Sequence, residues 1–174
     1  IGLTKRGKNG DWVSIGGEQG LPVENITALV AHDDQLWVGT THGAVLFLSE
    51  ANGRQWFYRA GKRYLIDDFI QAISVADGGK TVYFKTPAGI SRLDAVELTL
   101  QQKADKMEKM LNKRHRRLGM VAACVLDDAE SPASFIIQDN DNDGLWTSYH
   151  VVAMSLAYGA TGEKKYLESA KTGM

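Results

Sequence analysis

Along the first ninety-odd positions, apolar and polar residues alternate in short runs that end at Gly, Asp or Asn, as in half-buried strands joined by tight turns. Ile26-Thr27-Ala28-Leu29, a turn at His32-Asp33-Asp34-Gln35, the run Leu36-Trp37-Val38-Gly39-Thr40, a Gly turn and Ala44-Val45-Leu46-Phe47-Leu48 predict three successive strands. The same order returns as Ile70-Gln71-Ala72-Ile73, Ala76-Asp77-Gly78-Gly79, Val82-Tyr83-Phe84-Lys85-Thr86 and Gly89-Ile90-Ser91. Upstream, Trp12 matches Trp56, and Gly20-Leu21-Pro22-Val23-Glu24-Asn25 matches Tyr64-Leu65-Ile66-Asp67-Asp68-Phe69. The offset is 44 residues, then 46 after a small insertion.

After Arg92-Leu93-Asp94 the apolar period changes from two to about 3.6. Leu100, Ala104, Met107, Met110, Leu111 and Leu118 form one stripe, with Gln101, Lys103, Lys106, Glu108 and Lys109 opposite. With Thr99 as N-cap and Gly119 as terminator, this predicts a helix over 99–118. Its last turn, Lys113-Arg114-His115-Arg116-Arg117, suits a helix C-terminus and also offers a basic patch. Met120 to Leu126 is apolar, and Asp127 to Pro132 reads as a polar loop. Leu145, Tyr149, Val152 and Leu156, flanked by Trp146, Ala153, Ala157 and Ala160, predict a second, strongly apolar helix that ends at Gly159 and Gly162. Thr161 is the expected cap of a third helix that begins at Glu163, and so short a connection implies an antiparallel pair. The predicted organisation is β followed by α, with domains over 1–96 and 97–174.

Four strands at this period form a β-propeller blade, and the tryptophans of the repeat are expected to fill the space between blades. Two blades do not close a ring of four to eight. Ile1-Gly2-Leu3-Thr4-Lys5 reads like the last strand of an earlier blade. The remaining blades and helices are therefore expected from a longer parent chain or from other copies.

Trp37-Val38-Gly39-Thr40-Thr41-His42-Gly43, with Gly20-Leu21-Pro22 upstream, resembles the two-component-regulator propeller repeat of bacterial periplasmic sensors and other exported proteins. The second copy departs from it, with Tyr83 for Trp and Lys85 for Gly. The change of period, Asp141-Asn142-Asp143-Gly144-Leu145-Trp146-Thr147 and the hairpin ending in Tyr158-Gly159-Ala160-Thr161-Gly162 are similar to the start of an (α/α) toroid joined to propeller blades. Propeller-containing rhamnose–glucuronate polysaccharide lyases have that architecture. The resemblance implies a carbohydrate-active, lyase-like enzyme acting on a uronic-acid-containing glycan, with the propeller as scaffold and a periplasmic or secreted location. The alternative is a sensing or binding propeller module of two-component type.

Composition narrows these readings. Of 174 residues, 44% are hydrophobic, enough for a core, and a net charge of −1 gives no general attraction to nucleic acid or acidic lipid. No apolar run approaches the roughly 18 residues of a membrane span, and the first residues lack the apolar region of a signal peptide. Cys124 is the one cysteine, has no His or basic neighbour in sequence, and reads as buried filler.

The candidate chemistry centres on Gln138-Asp139-Asn140-Asp141-Asn142-Asp143. Carboxylates this close repel unless a cation or hydrogen-bond donors offset them. Three readings remain open. Asp141 or Asp143 is the N-cap of the following helix. Asp139, Asp141 and Asp143 are hard-oxygen ligands in the first half of an EF-hand-like calcium loop, with His150 where that loop has its bidentate Glu. Or Asp141, Asn142 and Asp143 belong to a carbohydrate site in which Trp146 or Tyr149 stacks on a sugar. A lyase needs a charge-offsetting group, a base and an acid. The catalytic candidates by residue type are Asp141, Asn142, Asp143, His115 and Tyr149, with Arg114, Trp146 and His150 for binding an oligosaccharide. No cofactor is required beyond possible calcium, and the resemblance brings no catalytic residue with it.

Overall fold

The computed structural model describes residues 2–7, 9–48, 55–131 and 133–174. Ile1 and Pro132, parts of the first expected strand and of the polar loop, lie outside the described residues. The chain divides into two compact units, Ile1–Val96 and Glu97–Met174. The first holds antiparallel sheet, and the second opens with a helix and carries every α-helix described. Among the described residues, no helix is long and apolar enough to cross a membrane.

In the first unit β1 (Leu3–Arg6) pairs with β2 (Trp12–Ile15). A four-stranded sheet follows in chain order, with β3 (Ile26–His32), β4 (Gln35–Thr40), β5 (Gly43–Leu48) and β6 (Trp56–Arg59). The next sheet has β7 (Ala72–Ala76), β8 (Thr81–Thr86) and β9 (Gly89–Asp94). The repeat is visible in the turns. The Thr40 hydroxyl donates to the Gly43 carbonyl at 2.7 Å, and Thr86 donates to that of Gly89 at 3.0 Å. Gly43 and Gly89 have φ of +108° and +140°, a region that glycine enters without penalty. Sheet and repeat are out of phase, because β6, whose Trp56 opens the second copy, completes the sheet of the first.

The core of this unit lies between the two larger sheets. Trp37 meets Phe84 edge to face at 5.4 Å, and Ala44, Leu65, Ile70 and Val82 close around them. Burial of each large side chain is worth about 1.5–3 kcal/mol. Gly39 makes room for it, since a Cβ there would lie 2.6 Å from Ile70 Cγ2. Its counterpart Lys85 is exposed and meets no such limit. Trp37 is buried in this core, and Trp56 stacks on Phe47 at 4.5 Å. Trp12 is 69% exposed on the two-stranded sheet, with the Arg6 guanidinium over its ring.

In the second unit, Thr99 and Gln102 form a reciprocal capping box at the start of α1 (Leu100–Arg114). The helix stops earlier than the periodicity predicts. Arg116–Arg117 is a short strand, β10, that turns through Leu118 and Gly119 to pair with β11 (Met120–Val121). Leu118 and Gly119 have φ of +50° and +86°, the successive positive values of a two-residue hairpin turn. β12 (Ala123–Val125) pairs with β13 (Ile136–Gln138). Two helices follow, α2 (Asp143–Thr161) and α3 (Lys164–Thr172), which pack together across a short connection. Gly162, left-handed at φ +71°, ends α2, and Gly159 lies inside it. The N-cap position of α3 is Glu163, not Thr161, whose hydroxyl instead accepts from the Glu163 N–H.

The face that α1 packs is the reverse of the one its pattern predicts. Leu100 and Met107 are exposed, and Leu118 sits at the hairpin tip. Contacts with α2 and α3 run through the polar row Gln101, Asp105 and Glu108. The reason is that Tyr166 and His150 are buried and need hydrogen-bond partners. Asp105 accepts from the Tyr166 hydroxyl at 2.7 Å and from Lys165 at 3.0 Å.

Candidate active site

With its polar row turned to α3, α1 leaves its apolar residues facing a groove shared with α2. The groove has a volume of about 650 Å³ and is lined by Met107 and Leu111 of α1, Trp146, Tyr149 and Ala153 of α2, and Val121 to Ala123 at one end. Glu108, His115 and His150 supply the polar groups of its wall. Few polar groups on an apolar surface of this size is the usual make-up of a small-molecule site. Thr147 ties the start of α2 to the hairpin by accepting from the Val121 N–H at 2.9 Å and donating to the Asp143 carbonyl at 2.6 Å.

Each imidazole is oriented by its partners. His115 closes α1, its N–H bonded to the Leu111 carbonyl at 2.8 Å. Its Nδ1 lies 3.0 Å from the Ala122 carbonyl, which only accepts, so Nδ1 carries the hydrogen. Nε2 then turns its lone pair toward Cys124 Sγ at 3.6 Å. Cys124, read above as buried filler, therefore has a histidine partner that only the tertiary fold brings to it. His150 Nε2 lies 2.9 Å from the Glu108 carboxylate, and Nη2 of Arg116 is 3.4 Å from Nδ1.

Glu108 also accepts from Ser169 at 2.6 Å and from Asn112 at 2.9 Å. Burial pushes its carboxyl up, but the hydrogen bonds from Ser169, His150 and Asn112 outweigh it and hold Glu108 below the ordinary glutamate value. Arg116 joins the network through Asn112 at 3.0 Å and the Ser169 hydroxyl at 3.1 Å.

Of the residues singled out from sequence, His115, Trp146, Tyr149 and His150 come together on this groove. Arg114 does not; its guanidinium covers the Phe135 ring at 5.5 Å. The acidic run lies apart from the groove lining and is organised within itself. Asp139 pairs with Arg117, and Asp143 Oδ2 accepts from the Asn140 N–H at 3.1 Å. Asn140 Oδ1 accepts from the Asn142 N–H at 3.0 Å. Asn142 occupies the N-cap position without a side-chain cap bond, so neither Asp141 nor Asp143 is the N-cap. Asp141 and Asn142 are exposed. Among the described residues, no group of three or more His, Cys, Asp or Glu side chains is placed to hold a metal ion.

Glu108, Asn112, Arg116 and Ser169 join the site without having stood out in the sequence. The i, i+4, i+8 spacing of the first three was legible, but it marks a polar row equally well whether that row meets water or a neighbour. No protein-family model matches the chain, and no curated protein or solved structure matches it either.

Proposed function

We propose that the chain is carbohydrate-active, a lyase-like enzyme for a uronic-acid-containing glycan, with the sheets of the first unit acting as propeller blades and the helices as the opening of an (α/α) toroid. The observation that carries this reading is the convergence of Trp146 and Tyr149 with two oriented histidines on one groove. The two rings lie 6.5 Å apart, tilted by 37°, and Tyr149 is 63% exposed. Rings so placed offer an apolar platform for the face of a sugar. In the β-elimination, a base takes the C5 proton, the C4–C5 double bond forms, and the C4–O bond breaks as its oxygen is protonated. His115 Nε2 takes the C5 proton once the Cys124 thiol rotates its hydrogen off that lone pair, and the Tyr149 phenol supplies the proton for the last step, while the Glu108–His150 pair fixes the groove wall between α1 and α2. An exported location accords with such a substrate.

The test follows formation of the unsaturated uronate from a glucuronate-containing oligosaccharide by its ultraviolet absorbance. His115→Gln and Tyr149→Phe are expected to lower kcat on the order of 10²-fold or more at unchanged melting temperature, and Trp146→Ala to raise KM. Absence of turnover together with absence of oligosaccharide binding would overturn the proposal.

A further inference from the structure

A second cavity lies in the first unit, between its two larger sheets, and nothing in the lyase-like reading uses it. Its volume is about 230 Å³, below the roughly 300–1,000 Å³ of sites for drug-sized ligands. Trp37, Leu46, Val82 and Leu93 form an apolar wall, and Gln35, Arg59, Lys80 and Asp94 bring polar groups to it. Most of these groups are donors. The Gln35 carbonyl is occupied by the Trp37 indole N–H at 3.2 Å, which leaves its amide donors. Arg59 donates one bond to the Tyr58 carbonyl at 3.0 Å and lies over the Tyr64 ring at 5.3 Å, with no carboxylate partner among the described residues.

Lys80 likewise has no described acidic partner. The one carboxylate, Asp94, is committed to Thr81 and Arg92, each at 2.9 Å, and burial opposes but does not overcome the hydrogen bonds from Arg92 and Thr81 that lower its pKa. The half-buried Arg59, the exposed Lys80 and the Gln35 amide thus set donors beside an apolar wall, the complement of an acceptor-only group joined to an apolar body.

We propose that this cavity binds a small organic carboxylate, its oxygens taken by Arg59, Lys80 and Gln35 and its body set against Trp37 and Leu46. The proposal does not depend on the helical groove. It is tested by titrating the protein at fixed ionic strength with benzoate, glucuronate, inorganic phosphate and glucose while following the Trp37 indole N–H signal by NMR. A saturable shift with benzoate or glucuronate, absent with glucose, is expected, and the tighter of the two tells whether the body is flat or sugar-like. Arg59→Gln and Lys80→Gln are each expected to weaken binding about tenfold or more, the scale of a charged hydrogen bond. Absence of a saturable shift with both carboxylates, equal binding of inorganic phosphate, or indifference to both substitutions would overturn it. Should a substitution impair folding, Lys80→Met keeps the aliphatic stem, and the wild-type comparison of carboxylates with glucose and phosphate decides alone.

Discussion

Glu108 is the residue of α1 that meets both other helices of the second unit. It accepts hydrogen bonds from Asn112, His150 and Ser169, and so joins α1 to both other helices. Because its folded pKa lies below the ordinary 4.5, the carboxylate contributes stability above that value and loses it as pH falls through the lower folded value. Urea midpoints of the helical circular dichroism signal are expected to fall with acidification below 4.5, and Glu108→Gln to flatten that dependence. An unchanged acid dependence in the variant would place the titrating group elsewhere. At neutral pH the same substitution faces His150 with an amide and is expected to cost on the order of 1–3 kcal/mol, the penalty for a buried group that loses its partner.

At the scale of the element, the β10–β11 hairpin decides where α1 ends. Arg116 would extend the helix and keeps the i, i+4 bond to Asn112, but its bonds with Gly119 and Ser169 accompany the reversal of the chain. Gly119 makes the reversal possible. At its φ of +86° a Cβ would lie 2.3 Å from the Thr172 carbonyl oxygen of α3. Gly119→Ala is therefore expected to lower helical stability by about 2 kcal/mol or more, combining left-handed strain with overlap against backbone that cannot rotate away. Gly162→Ala is the internal comparison in the same unit, since Gly162 has positive φ and open space around it, and should cost only the strain. Equal losses for the two would remove α3 packing from the explanation.

Across the whole molecule, apolar surface remains uncovered on the helices. Leu145, Tyr149, Val152 and Leu156 of α2 are 47%, 63%, 56% and 69% exposed, and they recur along one stripe. Contiguous apolar patches favour association. Sedimentation is expected to show concentration-dependent self-association that Val152→Lys and Leu156→Lys weaken while the helical signal is kept. A monomer at every concentration would mean that this stripe is tolerated in water.

Local chemistry determined what the sequence alone could determine. The alternation, the repeat and the Thr-x-x-Gly turns placed the strands of the first unit, and Thr99 placed the start of α1, because each depends on neighbours a few residues away. The direction in which α1 packs, the early hairpin, the meeting of Cys124 with His115 and the pairing of Asp139 with Arg117 were decided only by the tertiary structure. In each case the deciding partner is distant in the chain or competes with a nearer one: Tyr166 and His150 for the polar row of α1, Ser169 for Arg116, Arg117 for Asp139. An amphipathic pattern states that a helix has two faces. Which face is buried depends on whether the surface it meets brings apolar groups or, as here, buried donors and acceptors that must be satisfied.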